Sequence, residues 1–74
     1  MQIKIARPIT RKEFRDMGIF TPSLHELMVE GATFNVSEKR MYRPEGKYKY
    51  HLKVQDSYDT RLVWIWEDFV LELQ

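Results

Sequence analysis

Two histidines, a carboxylate-rich C-terminal segment and a strand of alternating lysines and tyrosines are the parts of this 74-residue chain with chemical potential. His25 is followed by Glu26, with Glu30 four residues beyond. A zinc site needs three or four ligands converging on one point, and His-Glu-x-x-x-Glu is not a spacing that supplies them. His51 shares its strand face with Lys49 and Lys53, whose charge repels a cation. Glu67, Asp68 and Glu72 lie close in sequence, but acid–base work needs a pair aimed into a cleft with separated pKa values. So short a chain leaves little interior for a cleft, and strand termination with edge shielding is the expected role. Ser23, Ser37 and Ser57 lack a nucleophile-elbow setting, and three scattered glycines make no phosphate cradle. The absence of cysteine removes thiolate nucleophiles, iron–sulfur clusters and cysteine zinc sites. The expectation is a chain without catalytic residues, metal or cofactor, acting by binding.

The residues that could bind are more informative. In Lys47-Tyr-Lys-Tyr-His-Leu-Lys-Val54, strict alternation puts Tyr48, Tyr50, Leu52 and Val54 on one face and Lys47, Lys49, His51 and Lys53 on the other. Lysines among aromatics suggest nucleic acid, where basic grooves hold phosphates and rings stack on bases. The alternation tells against the full version, because it puts tyrosines and lysines on opposite faces. Either the tyrosines are core and only the charges remain outside, which is the favoured reading, or the aromatic face is exposed and the lysines lie elsewhere. A phosphate contact through Arg40, Arg43, Lys47, Lys49 and Lys53 survives. Trp64 and Trp66 share a face of the next apolar run, as core or as an interface anchor of the kind tryptophan supplies. Tyr42 and Tyr58, in polar surroundings, are the better candidates for exposed contact. The candidate partner-contact residues are therefore Tyr42, Tyr58, Trp66, Arg43, Lys47, Lys49 and Lys53.

The elements that must position these residues follow from periodicity and end signals. Ile3 and Ile5 alternate with Gln2 and Lys4, a first strand running toward Pro8. Thr10-Arg-Lys-Glu13 has capping-box spacing, Phe14 and Met17 share a helical face, and Gly18 supplies a left-handed terminus. Thr21-Pro22 opens a second helix with Leu24, Leu27 and Met28 as its stripe, closed by Gly31. A structured loop is the competing reading for that stretch. Residues 32–37 alternate as a strand, and Pro44-Glu-Gly46 is a turn. The strand over 47–54 follows, and then Asp56-Ser-Tyr-Asp59 gives turn chemistry. Arg61–Trp66, apolar on both faces, is expected to lie centrally in the sheet. Glu67-Asp68 breaks the chain before a closing strand over 69–73.

Five short strands are too few for an ordinary sandwich. The reading is a mainly β (α+β) single domain over residues 1–74, a small antiparallel five-stranded SH3-like barrel. One or two short helices are inserted at about 10–30, after the first strand, and packed on its side or end. An open sheet of three or four strands with both helices on one face is the alternative. Val29-Glu-Gly-Ala-Thr-Phe-Asn-Val36, Tyr50-His-Leu-Lys-Val-Gln-Asp56 and Trp64-Ile-Trp-Glu-Asp-Phe69 resemble small phage-encoded SH3-like β-barrel proteins, over roughly residues 27–73. The resemblance implies phage or prophage origin and a binding role, and it carries no site residues.

Net charge is +1, with basic excess in residues 1–20 and 41–55 and acidic excess in 56–74. This polarity is not the global basicity of a dedicated polyanion binder. The leading expectation is a non-enzymatic accessory protein that binds a host or phage protein, as an inhibitor or modulator would. The alternative is a nucleic-acid-binding barrel using segments 4–15 and 39–53. No stretch reaches the roughly 18 apolar residues of a membrane span, and the N-terminus has no signal-peptide core. Cytoplasmic localisation is expected, in the host cell if the chain is phage-encoded. A core of this size rarely supplies more than about 3–5 kcal/mol, so a partner or self-association is a natural further source of stability.

Overall fold

The computed structural model describes residues 1–73. The chain runs β1 (Gln2–Ile5), α1 (Arg11–Asp16), α2 (Pro22–Leu27), β2 (Thr33–Tyr42), β3 (Lys47–Gln55), β4 (Thr60–Trp66), a 3-10 turn (Glu67–Phe69) and β5 (Val70–Leu73). All five strands form one antiparallel sheet in the order β4-β3-β2-β1-β5. The mainly β class, the two helices after the first strand and the five strands are as the sequence predicts. The sheet does not close, since β4 and β5 form its two edges.

It curls strongly nonetheless. The Tyr50 hydroxyl on β3 donates to Glu72 on β5 at 2.6 Å, across the two intervening strands. Lys47 donates to Asp68 at 2.7 Å, and the Tyr48 amide donates to the Glu67 carboxylate at 2.9 Å. The acidic turn expected to shield an edge thus ties the end of β4 back onto β3.

The concave face holds the core. Ile3, Ile5, Tyr50, Leu52, Val54 and Ile65 from the sheet meet Phe14, Ile19, Leu24, Met28 and Phe69. The insertion is therefore the lid of the core. Thr10 accepts from the Glu13 amide at 3.1 Å while the Glu13 carboxylate accepts from the Thr10 amide at 2.9 Å, completing the predicted capping box. Gly18, at φ 78°, turns the chain out of α1 so that Ile19 is buried. The second helix forms where proline at N1 predicts it, although the Thr21 side chain makes no cap.

Three of the boundaries that differ from the sequence reading have a clear physical reason. β1 stops at Ile5, where the Ile5 amide turns to the Ala32 carbonyl and the Ala6 amide to Phe69. β2 runs on to Tyr42, because β3 pairs with it through Tyr42↔Lys47 and so holds polar residues in extended form. Phe69 belongs to the 3-10 turn and plugs the core end. The central position expected for 61–66 is a correction: β4 is an edge strand. Its second apolar face is covered by side chains of its own sheet, as described below.

The carboxylates displaced from their ordinary values all serve this architecture. The Thr10 amide and then the Arg7 guanidinium hold Glu13 down at about 2. Lys39 and then the Tyr50 hydroxyl lower Glu72, and the Tyr58 and Asp59 amides lower Asp56. A depressed carboxylate stabilises the fold above its unfolded value, near 4.5 for glutamate, and that contribution is lost as pH falls toward the folded value. The thermal midpoint is therefore expected to fall as pH drops from about 4.5 to about 2. Glu13→Gln should flatten part of that fall. A midpoint unchanged across this window would show that these contacts do not form.

Candidate functional site

The convex face of β2, β3 and β4 gathers the binding residues. Pairing sets Lys49 between Arg40 and Trp66, His51 between Glu38 and Trp64, and Lys53 between Asn35 and Leu62. Strand alternation then brings the side chains of each row to the same side of the sheet.

A β-bulge decides what β2 contributes. Between Val36 and Glu38 the register with β3 slips by one residue, and Ser37 is the extra one. Its hydroxyl donates to the His51 carbonyl at 3.1 Å. A one-residue slip sends every later side chain to the opposite face. Before the bulge the even-numbered Phe34 and Val36 pack on the core; after it the even-numbered Glu38, Arg40 and Tyr42 face outward. The inward side receives Lys39, which donates to Glu72 at 2.6 Å and lies 4.3 Å from the Tyr48 ring centroid.

The outward side chains interleave as rings and cations. His51 stacks on Trp64 with centroids 4.3 Å apart and planes 7° from parallel. The Lys49 ammonium lies 4.7 Å from the Trp64 centroid and 5.2 Å from that of Tyr42. Arg40 reaches to 5.6 Å from Trp64, and Tyr42 tilts against Trp66 at 5.5 Å. Ring quadrupoles attract such cations by about 0.5–1 kcal/mol each where exposed. Trp64 and Trp66 remain half-buried, and Leu62 at the outer edge is 53% exposed. Arg40 is neutralised by Glu38 at 2.6 Å, and Lys47 by Asp68. Lys49 and Lys53 form no ion pair among the described residues. The arrangement can offer a partner an aromatic ridge flanked by two unneutralised cations and bordered by an edge strand.

Of the residues singled out from sequence, Tyr42, Trp66, Lys49 and Lys53 share this face, and Lys47 lies at its end, engaged with Asp68. Arg43 sits in the adjoining β2–β3 turn. Tyr58 is 97% exposed at the tip of the β3–β4 turn, where the Asp56 carboxylate accepts from its amide. It belongs to the other end of the strands. His51 and Leu62 carry no contact expectation from sequence, Arg40 only that of a phosphate contact, and Trp64 that of core or interface anchor. The period-two pattern gives their faces only once strand order and bulge are known, and neither is written in local sequence.

The separation of rings from charges expected for 47–54 holds within β3 for Tyr50, Leu52 and Val54, which are buried; Tyr48 remains 38% exposed. It fails for the sheet, because β2 and β4 return rings to the lysine face. Among the described residues, no group of three or more histidines and carboxylates converges as a metal site. No helix there is long and apolar enough to cross a membrane. No protein-family model, curated protein or solved structure matches the chain.

Proposed function

We propose that this chain is a non-enzymatic accessory protein of the phage SH3-like barrel type, cytoplasmic in the host, that binds a protein partner on the convex β2–β3–β4 face. Occupying a host or phage protein in this way would make it an inhibitor or modulator. The observation that carries the proposal is the Tyr42–Lys49–Trp64–His51 stack, half-exposed beside the open edge of β4. Interfaces concentrate their energy in such aromatic and cationic anchors, and an open strand edge offers main-chain pairing as well. The curl that joins Tyr50 to Glu72 supports the barrel reading. Each displaced carboxylate pKa is accounted for by a cap, a turn or a strand tie, which supports a role without catalysis.

Nucleic acid is the second reading, favoured by the same interleaving of cations and rings. Against it, the Trp64 ring is already stacked on His51 and flanked by Lys49, so a base would have to displace them. Capture from a nuclease-treated lysate at about 150 mM salt separates the two. A protein partner is expected to be retained there, with modest loss as salt rises. Retention that vanishes with nuclease, together with a gel shift weakening steeply with salt, would replace the protein reading by the nucleic-acid one.

A further inference from the structure

On the helical side of the core, away from the convex sheet face, a second site takes shape. A cleft of about 230 Å³ opens between the two helices, lined by Arg11, Arg15, Ile19, Phe20, Pro22 and His25. We propose that this cleft binds an acidic peptide segment of a protein partner, with carboxylates on Arg11 and Arg15 and an apolar side chain against Phe20.

Two unresolved features meet there. Arg11 and Arg15 stand one helical turn apart, a like-charged pair that destabilises a helix. Neither is engaged in an ion pair or side-chain hydrogen bond among the described residues. Carboxylates would relieve the repulsion, and guanidinium is the cation shaped to hold them bidentately. Phe20 is 68% exposed although its neighbour Ile19 is buried, so a large ring stands in water at the mouth of the cleft.

The wall beneath is held by contacts of its own. The His25 ring stacks on Phe14 at 4.2 Å and 9°. Its Nε2 lies 2.7 Å from the Ile19 carbonyl oxygen, and a carbonyl only accepts, so the ring nitrogen donates. Pro22 fixes the entry of α2. A preformed cleft costs a ligand less ordering than a mobile one. Two arginines match one or two carboxylates rather than a run of phosphates, and the net charge of +1 gives no long-range pull on a polyanion. The proposal is independent of the convex face and stands whether or not that face binds protein.

The test is a titration of the full ¹⁵N-labelled chain with the capped peptide Gly-Asp-Phe-Glu-Gly, followed by amide shifts. Arg15, Ile19, Phe20 and His25 should move. Arg15→Glu and Phe20→Ala should each weaken binding by about tenfold or more. Lys4→Glu makes the same charge change on the outer face of β1, between the buried Ile3 and Ile5 and across the core from the cleft, and should alter affinity by less than about twofold. If Arg15→Glu does not give a dispersed spectrum, Arg15→Gln replaces it with the same expectation of loss. Equal losses for the Lys4 and Arg15 variants, shifts centred elsewhere, or no shifts would overturn the proposal. So would a dT oligonucleotide or inorganic phosphate that moves the same amides more tightly than the peptide.

Discussion

Leu52→Ala is expected to abolish the cooperative unfolding transition at 25 °C. Leu52 is fully buried on β3, paired with Val36 on one side and Val63 on the other. Truncating a buried leucine to alanine costs about 2–5 kcal/mol, because the cavity adds to the lost transfer energy. That is comparable with the whole margin of about 3–5 kcal/mol available to a core of this size. The neighbouring Val63 is only half-buried on the edge strand, so Val63→Ala should lower the thermal midpoint and leave the transition cooperative. Circular dichroism melts of the two variants decide it. A cooperative Leu52→Ala melt within about 5 °C of the parent would mean that the fold's stability lies outside the concave face.

Lys49→Glu is expected to cost partner affinity at least about tenfold, roughly 1.4 kcal/mol, while leaving the domain folded. Lys49 stands between the Tyr42 and Trp64 rings at the centre of the convex face. A carboxylate there meets the negative ring faces and reverses one of the two unneutralised charges that face offers. The loss of exposed cation–ring attraction amounts to about 1 kcal/mol or less, within what the core can absorb. Lys12→Glu, on α1 and outside the cluster of rings and cations, carries the same change in net charge and should leave the affinity for the captured partner near its parent value. Comparable losses in the two variants would reduce the effect to bulk electrostatics.

Much of the fold is legible in the sequence because its signals are local. The Thr10–Glu13 capping box, the Pro22 helix start and the alternation of 47–54 each operate within a few residues, and each forms as its chemistry dictates. Strand order is not local. Arg61–Trp66 reads as central because both faces are apolar, yet it lies at an edge, with Lys49, Arg40 and His51 dressing its outer rings. The convex site is less legible for the same reason. Ser37 carries no mark of being a bulge, and the one-residue slip there delivers Arg40 and Tyr42 to the lysine face. Read without that slip, β3 divides into buried rings and solvated charges. With it, the charged face regains aromatic neighbours from both flanking strands.

Both tryptophans of the chain take outward register positions on β4. Trp64 stacks on His51, and Trp66 meets Tyr42 while also packing against the core, so they report on occupancy of the convex face. The domain labelled with 5-fluorotryptophan gives one ¹⁹F resonance from each, and an unlabelled partner contributes none. Adding the partner retained from nuclease-treated lysate should shift or broaden both resonances in proportion to the bound fraction, and Lys49→Glu should demand about tenfold more partner for the same change. A partner that binds while both resonances stay unmoved would contradict the assignment of this face as the binding surface.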